Sequence, residues 1–225
     1  MVMAATLLTA AVLHLAQGFA APDMDTVFGD GLVFETGDGD RLTTHQQRAD
    51  DLILPSGAIV ATDGVIIRDA QPFERTVEPG RYPVMLTVTV DDARDKLVAF
   101  ARVQFQPSAP VRWEPATLPG QDPSEAAYAV SSGIGAFMDA DAAVMANENF
   151  DAYGEILLRH LVDVVNRDEY WTNVQVDSTT LADAVVFIAG RGDGGYASFW
   201  GFDANDEVVC LVTDFAVLQD TTRVQ

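Results

Sequence analysis

The chain has 225 residues, of which 48% are hydrophobic, so it is long enough to bury a sizeable core. Its charge is strongly unbalanced, with 34 acidic residues against 13 Lys and Arg residues and a formal net charge of −21. Because scattered acidic side chains repel phosphate groups, this charge argues against nucleic acid and anionic membranes as partners. Two interpretations stay open: an adaptation to salt or solubility, and a negatively charged face that binds a basic protein.

The first 21 residues contain no charged side chain. They resemble the apolar part of a secretory signal, but they lack the basic residues that normally precede it. They are also short for a stable membrane span, and His14 and Gln17 interrupt the apolar run. We therefore expect an N-terminal extension or signal-like segment over residues 1–22 and one domain over residues 23–225. The protein is expected to be cytoplasmic, or exported if residues 1–20 act as a signal peptide.

The first half of the chain has the turn spacing of short antiparallel strands. Residues 24–51 are rich in Gly and Asp, which predicts loops and turns with one short strand at residues 32–35. Residues 52–68 contain apolar runs separated by Pro and Gly, which is typical of a hairpin. Residues 81–90 and 96–105 follow as two strands around a polar turn. This half is predicted to form an antiparallel meander.

The middle of the chain predicts two helices. Asp139 precedes the segment ADAAVMANENF, so its carboxylate can cap the first of them. The second covers residues 151–165, and its apolar residues recur at helical spacing: Tyr153, Leu157, Leu161, Val164 and Val165. A stripe of this kind packs against a sheet in most globular proteins.

The C-terminal part, residues 184–218, contains three apolar segments joined by two polar turns, which predicts three further strands. The first turn contains Arg191, Gly192 and Asp193, which we interpret as turn residues and not as an adhesion motif. The predicted fold class is therefore α+β: a single domain, mostly β, with antiparallel meanders and about two helices packed on the sheet.

No catalytic signature with a known spacing occurs in this sequence: it lacks the Gly-x-Ser-x-Gly, His-Glu-x-x-His and P-loop patterns. Cys210, the sole cysteine, lies in the apolar run VVCLVTDF, which predicts a buried and inert thiol. Asp38 and Asp40, and the turn Asp203 to Glu207, offer oxygen ligands without the loop that calcium binding requires. We expect no metal site and no cofactor, and the sequence favours a protein that is not an enzyme.

Some residues remain as candidates for a binding pocket at the end of the sheet. The candidates are Asp139, Trp200, Asp203, Asp214, Arg81 and Arg112. The acidic and aromatic side chains would line the pocket, and either arginine would bind an anion. This hypothesis requires the side chains to converge on one concavity. The alternative for the aromatic residues is core packing on both faces of a covered sheet.

Several segments of the chain resemble the signature blocks of domain-of-unknown-function family 4241, in the same order as in that family. They are LPSGAIVATDG, VEPGRYPVMLTV, GIGAFMDADAA and YASFWGFDANDEVVCLVTDF. The likeness extends from about Asp23 to Leu218. It implies a bacterial protein of one domain, and it brings no established activity and no catalytic residues.

The sequence thus leads to two functional hypotheses. The first is a non-enzymatic, acidic binding protein of the accessory or immunity type, whose partner is a basic protein. The alternative is an enzyme or small-ligand binder that uses the acidic and aromatic pocket. The oligomeric state is left open.

Overall fold

The computed structural model describes residues 19–167 and 169–224, without the side chains of residues 165–167. Most of the predicted N-terminal extension, residues 1–18, lies outside the described residues. The helices of the described part are α1 (Met24–Phe28), α2 (Ala140–Glu148) and α3 (Phe150–Arg167). Its strands are β1 (Val33–Glu35), β2 (Arg41–Leu54), β3 (Ile59–Asp63), β4 (Gly80–Asp91), β5 (Lys96–Gln104), β6 (Arg112–Pro115), β7 (Tyr128–Val130), β8 (Ile134–Asp139), β9 (Trp171–Gln175), β10 (Asp183–Ile188), β11 (Gly194–Phe202), β12 (Val208–Asp214) and β13 (Thr222–Arg223).

The strands form two antiparallel sheets. The large sheet has the order β13-β1-β2-β4-β5-β12-β11-β6, and β7 also pairs with β11. The small sheet has the order β3-β8-β10-β9. Strand β2 of the large sheet contacts β8, β9 and β10, so the two sheets pack face to face. The predicted fold class, a mostly β protein of the α+β type with antiparallel sheets, is confirmed.

Strand β10 shows how the small sheet joins two cores. Val185 and Phe187 belong to the core between the sheets, whereas Ala184 and Val186 belong to a second core beneath α2 and α3. The side chains alternate in this way because successive residues of a strand point to opposite faces. Since both faces are covered, residues 184–188 of the strand form an unbroken apolar run and not a polar–apolar alternation.

Both predicted helices are present. The Asp139 carboxylate caps α2 by accepting a hydrogen bond from the Asp141 N–H at 2.9 Å. On α3, Tyr153, Leu157 and Val164 are buried, and the first two pack against the small sheet. The helical period of these apolar residues correctly identified the face that is covered.

The short strand predicted at residues 32–35 is present as β1, but the prediction of loops elsewhere in residues 24–51 is wrong where α1 covers Met24–Phe28 and where β2 begins at Arg41. The polar side chains of β2 find partners in the segment that covers this strand. Gln46 Nε2 donates to the carbonyls of Val27 at 3.2 Å and Gly29 at 3.1 Å. Such a strand lacks the apolar alternation by which strands are recognised in a sequence.

The predicted hairpin within residues 52–68 is also wrong, because β2 and β3 lie in different sheets and β3 pairs with β8. The Asp63 carboxylate accepts the N–H groups of Val65 and Ile66, both at 2.8 Å, and this turn ends the strand. Likewise β10 and β11 lie in different sheets, so the last three predicted strands contain one hairpin, β11–β12, and not a meander. Gly190 and Gly192, with φ of +44° and +111°, form the turn between the sheets.

Candidate functional site

Arg112 and Trp200 lie on the adjacent strands β6 and β11. Trp200 is only 2% exposed, and its ring meets that of Phe73 edge to face with 6.0 Å between centroids. Core packing therefore accounts for this tryptophan. The Arg112 guanidinium stacks 3.8 Å from the centre of the Phe202 ring and forms an ion pair with Asp206. Its charge is thus already paired at the surface.

Asp203 lies close to Arg112, whereas Arg81 and Asp139 lie elsewhere, and all three side chains have partners. Asp203 closes the turn after β11, where its carboxylate accepts the Glu207 N–H at 3.1 Å. Arg81, at the beginning of β4, lies 3.8 Å from the Asp51 carboxylate. Asp139 is in the small sheet and caps α2. The described residues therefore bring together Arg112, Trp200 and the nearby Asp203, but not the whole predicted set.

Two buried carboxylates of the small sheet hold loops in place. Asp63 accepts hydrogen bonds from five donors at 2.7–2.8 Å: the N–H groups of Val65, Ile66, Ser131 and Ser132 and the Ser132 hydroxyl. Burial alone would raise the pKa of Asp63, but these hydrogen bonds outweigh it and hold the pKa below the ordinary value. Asp139 similarly accepts the Ser56 N–H at 2.9 Å and the Ser56 hydroxyl at 2.7 Å.

Asp214, the last residue of β12, has a different environment. One carboxylate oxygen accepts the Ala216 N–H at 2.7 Å, and no other described residue donates a hydrogen bond to this side chain or forms an ion pair with it. Burial raises the pKa of Asp214 to about 6, and the single backbone hydrogen bond offsets that effect only in part. A carboxylate of this kind, largely desolvated and poorly paired, is a candidate for a functional role.

A cavity of about 290 Å³ opens beside Asp214 on the face of the large sheet that points away from the small sheet. Ala197, the cross-strand partner of Asp214, forms its floor together with Phe199. Phe19 forms part of the opposite wall, and Ala216 also borders the cavity. Apart from the carboxylate, the wall is mostly apolar. Asp214 also borders a neighbouring cavity of about 280 Å³.

The same face of the large sheet contains Arg102 and Cys210. The Arg102 guanidinium lies 3.8 Å from the centre of the Phe28 ring, and burial lowers its pKa to about 10. Its Nε and Nη1 atoms have no hydrogen-bond partner among the described residues. Burial also raises the pKa of Cys210 to about 12, although Arg102 favours the thiolate. The Cys210 side chain is buried, as the sequence predicted, and its raised pKa disfavours the reactive thiolate.

A second feature lies on the helical layer and was not recognised from the sequence. Of the large apolar side chains that the structure describes as exposed, half are on α2 and α3. We call this set the helix-layer patch; it consists of Val144, Phe150, Leu158 and Val162. The exposure of part of this patch could have been inferred from the sequence. A helical wheel of α3 places Leu158 and Val162 on the polar side of the helix, with Asp151 and Glu155.

Within residues 19–167 and 169–224, no cluster of three or more His, Cys, Asp or Glu side chains is arranged to hold a metal ion. Over the same residues, no helix has the length and apolar character that crossing a membrane requires.

Comparison with known proteins assigns a family and no activity. The family model "Protein of unknown function (DUF4241)" matches residues 52–213, which is more than half of the chain, and the chain therefore belongs to this family. The resemblance seen in the sequence is confirmed, although the match is shorter and ends one residue before Asp214. No curated protein and no solved structure matches the chain.

Proposed function

We propose that this protein is a non-enzymatic binding protein, of the accessory or immunity type, which recognises a basic protein through its acidic surface. The observation that carries the proposal is the helix-layer patch. Its residues Leu158 and Val162 are 63% and 53% exposed and lie one turn apart on α3. The exposed acidic residues Asp151 and Glu155 lie on the same side of the helix.

The two flanks of α3 differ in a way that supports binding. Leu157 points into the core beneath the helix and is 2% exposed, whereas its neighbour Leu158 points to solvent. Apolar side chains that stay exposed in a group, with polar residues around them, are typical of surfaces that bind another protein. A partner would cover Leu158 and Val162 and thereby remove their apolar area from water.

The charge of the chain specifies what kind of partner fits. A net charge of −21 attracts basic proteins over long distances and repels acidic ones, including a second copy of this chain. Near the patch, Glu155 and Asp163 would face lysine or arginine side chains of the partner. The apolar residues would then supply most of the affinity, and the carboxylates would supply the association rate and the selectivity.

Site-specific photo-crosslinking tests the proposal. A photoreactive phenylalanine derivative would replace Leu158 in the full-length protein, and a control would carry it at Val111, which is similarly exposed outside the helical layer. Both proteins would be irradiated in native lysate, and mass spectrometry would identify the cross-linked protein. We expect a basic protein to be cross-linked from position 158 and not from position 111.

Binding to the identified partner would then be measured with purified proteins. We expect Leu158→Gln combined with Val162→Gln to weaken binding about tenfold or more, and Val111→Gln to leave it unchanged. Added salt should weaken the association, because it screens exposed charges. An acidic or neutral partner, equal cross-linking from both positions, or binding that the double variant does not affect would overturn the proposal.

A second candidate function, the binding of a small ligand, is favoured by a separate observation, the cavity beside Asp214. That cavity is lined by residues of β11 and β12 and not by the helical layer. Variants of the cavity are therefore expected to leave the helix-layer patch intact, and the reverse, so the two functions can be tested independently.

A further inference from the structure

The cavity beside Asp214 combines a single carboxylate with walls that are mostly apolar. It is formed by β11, by the segment after β12 and by the residues that precede α1. We propose that it binds a small organic ammonium ion with an apolar body, such as an alkylammonium or arylalkylammonium ion. The ammonium group pairs with the Asp214 carboxylate, and the apolar body fills the space over Ala197 and Phe199.

The hydrogen bonds of Asp214 leave room for a cationic donor. A carboxylate can accept about four hydrogen bonds, and Asp214 accepts one from the described residues, which comes from the Ala216 N–H. No arginine or lysine is among the described residues that line the cavity. An ammonium group carries three N–H donors and a positive charge, so it would satisfy the carboxylate and neutralise it at once.

The rest of the wall favours an apolar body of limited size. Ala197, Phe199, Ala216 and Phe19 present hydrocarbon to the cavity. Its volume of about 290 Å³ is roughly twice that of an engineered cavity known to hold benzene, which suits a ligand of one ring or a short chain. Gln219 is, among the described lining residues, the one polar side chain besides Asp214, and its amide oxygen can accept a further N–H.

The acidic surface also favours a cationic ligand over an anionic one. The 34 acidic residues of the chain create a negative potential around the molecule, which raises the local concentration of small cations and lowers that of anions. Neutral apolar molecules gain nothing from this potential. A charged ligand and its neutral analogue of equal size should therefore bind with clearly different affinity.

Calorimetric titration of the full-length protein with benzylammonium and with benzyl alcohol tests whether the cavity prefers a cationic ligand to a neutral one of similar size. At low salt and about pH 7.5 the amine is protonated. We expect benzylammonium to bind at least about tenfold more tightly than the alcohol, because a charge-assisted hydrogen bond replaces a neutral one. The Asp214→Asn variant should lose this preference, and Asp193→Asn, which removes an exposed charge outside the cavity wall, should retain it.

A second variant tests the location without removing the carboxylate. Gly195 borders the cavity, and a Cβ added there would meet no atom of the described residues within 4 Å. We expect Gly195→Leu to occupy part of the cavity, keep the melting temperature, and reduce benzylammonium binding about tenfold or more. The proposal is overturned if benzylammonium fails to bind at millimolar concentration, if it binds no better than the alcohol, or if both cavity variants bind it as the native protein does.

Discussion

Asp63 in the small sheet and Asp214 on the outer face of the large sheet are carboxylates in opposite conditions. In the small sheet, Asp63 accepts five hydrogen bonds and Asp139 accepts three. On the large sheet, Asp214 accepts one from the described residues, and its pKa is raised where that of Asp63 is lowered. Asp63 and Asp214 thus differ mainly in the number of hydrogen-bond donors that reach the carboxylate.

The largest effect is expected from Asp63→Ala. The substitution leaves four backbone N–H groups and the Ser132 hydroxyl without their acceptor, so the free energy of unfolding should fall by about 4 kcal/mol. Urea denaturation measures this change, with Asp38→Ala, an exposed residue of the β1–β2 turn, as the control. A loss below about 1 kcal/mol would contradict the structural role of Asp63.

Asp214→Asn is expected to raise the free energy of unfolding at neutral pH, whereas Asp63→Ala lowers it. The folded pKa of Asp214, about 6, lies above the ordinary value of 3.8, so the folded state binds its proton more tightly than the unfolded state. The native protein therefore loses up to about 3 kcal/mol of stability from this group as the pH rises from about 4 to about 6. The asparagine variant keeps the Ala216 hydrogen bond and does not ionise.

We expect the two proteins to unfold with equal free energy near pH 4 and the variant to be the more stable one at pH 7. Urea denaturation at a series of pH values measures the difference in free energy of unfolding between the two proteins. The contributions of the other carboxylates cancel in this difference because both proteins contain them. A variant that is less stable at pH 7 would show that the Asp214 carboxylate is well paired in the native protein.

A smaller loss is expected from Asp139→Ala, about 2 kcal/mol, because the helix cap and the two bonds from Ser56 are removed together. Ser56→Ala removes only the hydroxyl and should cost about 1 kcal/mol. Thermal unfolding of both variants measures these values. If Ser56→Ala were the more harmful of the two, the carboxylate would not be the centre of this contact.

The smallest change in stability is expected on α3, where an exposed leucine directly follows a buried one along the helix. Leu158→Gln should change the free energy of unfolding by no more than about 0.5 kcal/mol, since the side chain is exposed and glutamine is a good helix former. Leu157→Ala, one residue earlier, should cost about 3 kcal/mol because that side chain is buried. Equal losses would show that Leu158 is packed and is not part of a binding surface.

Local features of the fold were predictable from the sequence, and distant ones were not. The Asp139 cap and the buried face of α3 depend on residues within a few positions of each other, so spacing alone identifies them. The strand β2 was missed because its polar side chains are satisfied by carbonyls 17–19 residues earlier. Asp63 looked like part of a hairpin, since its partners Ser131 and Ser132 lie 68 and 69 residues away.

The site shows the same limit. Asp214 was selected from the sequence as a candidate, but nothing in the sequence shows that its wall includes Phe19 and Ala216 or that Asp203 lies at the other end of β12. The exposure of Leu158 could have been inferred from the helical wheel, because the residue lies away from the stripe that includes Leu157. The wall of the cavity could not have been inferred from the sequence, because three separate segments of the chain form it.

The pairing of β3 with β8 also has a consequence for how the chain acquires its structure over time. Val60 is opposite Met138, so the first strand of the small sheet meets its partner only after 78 further residues. A ribosome needs on the order of seconds to synthesise that length. During this interval the apolar strand β3, all of whose residues are buried in the finished protein, has no sheet to join. Folding is therefore expected to be slow, and the nascent chain is exposed to aggregation until β8 emerges.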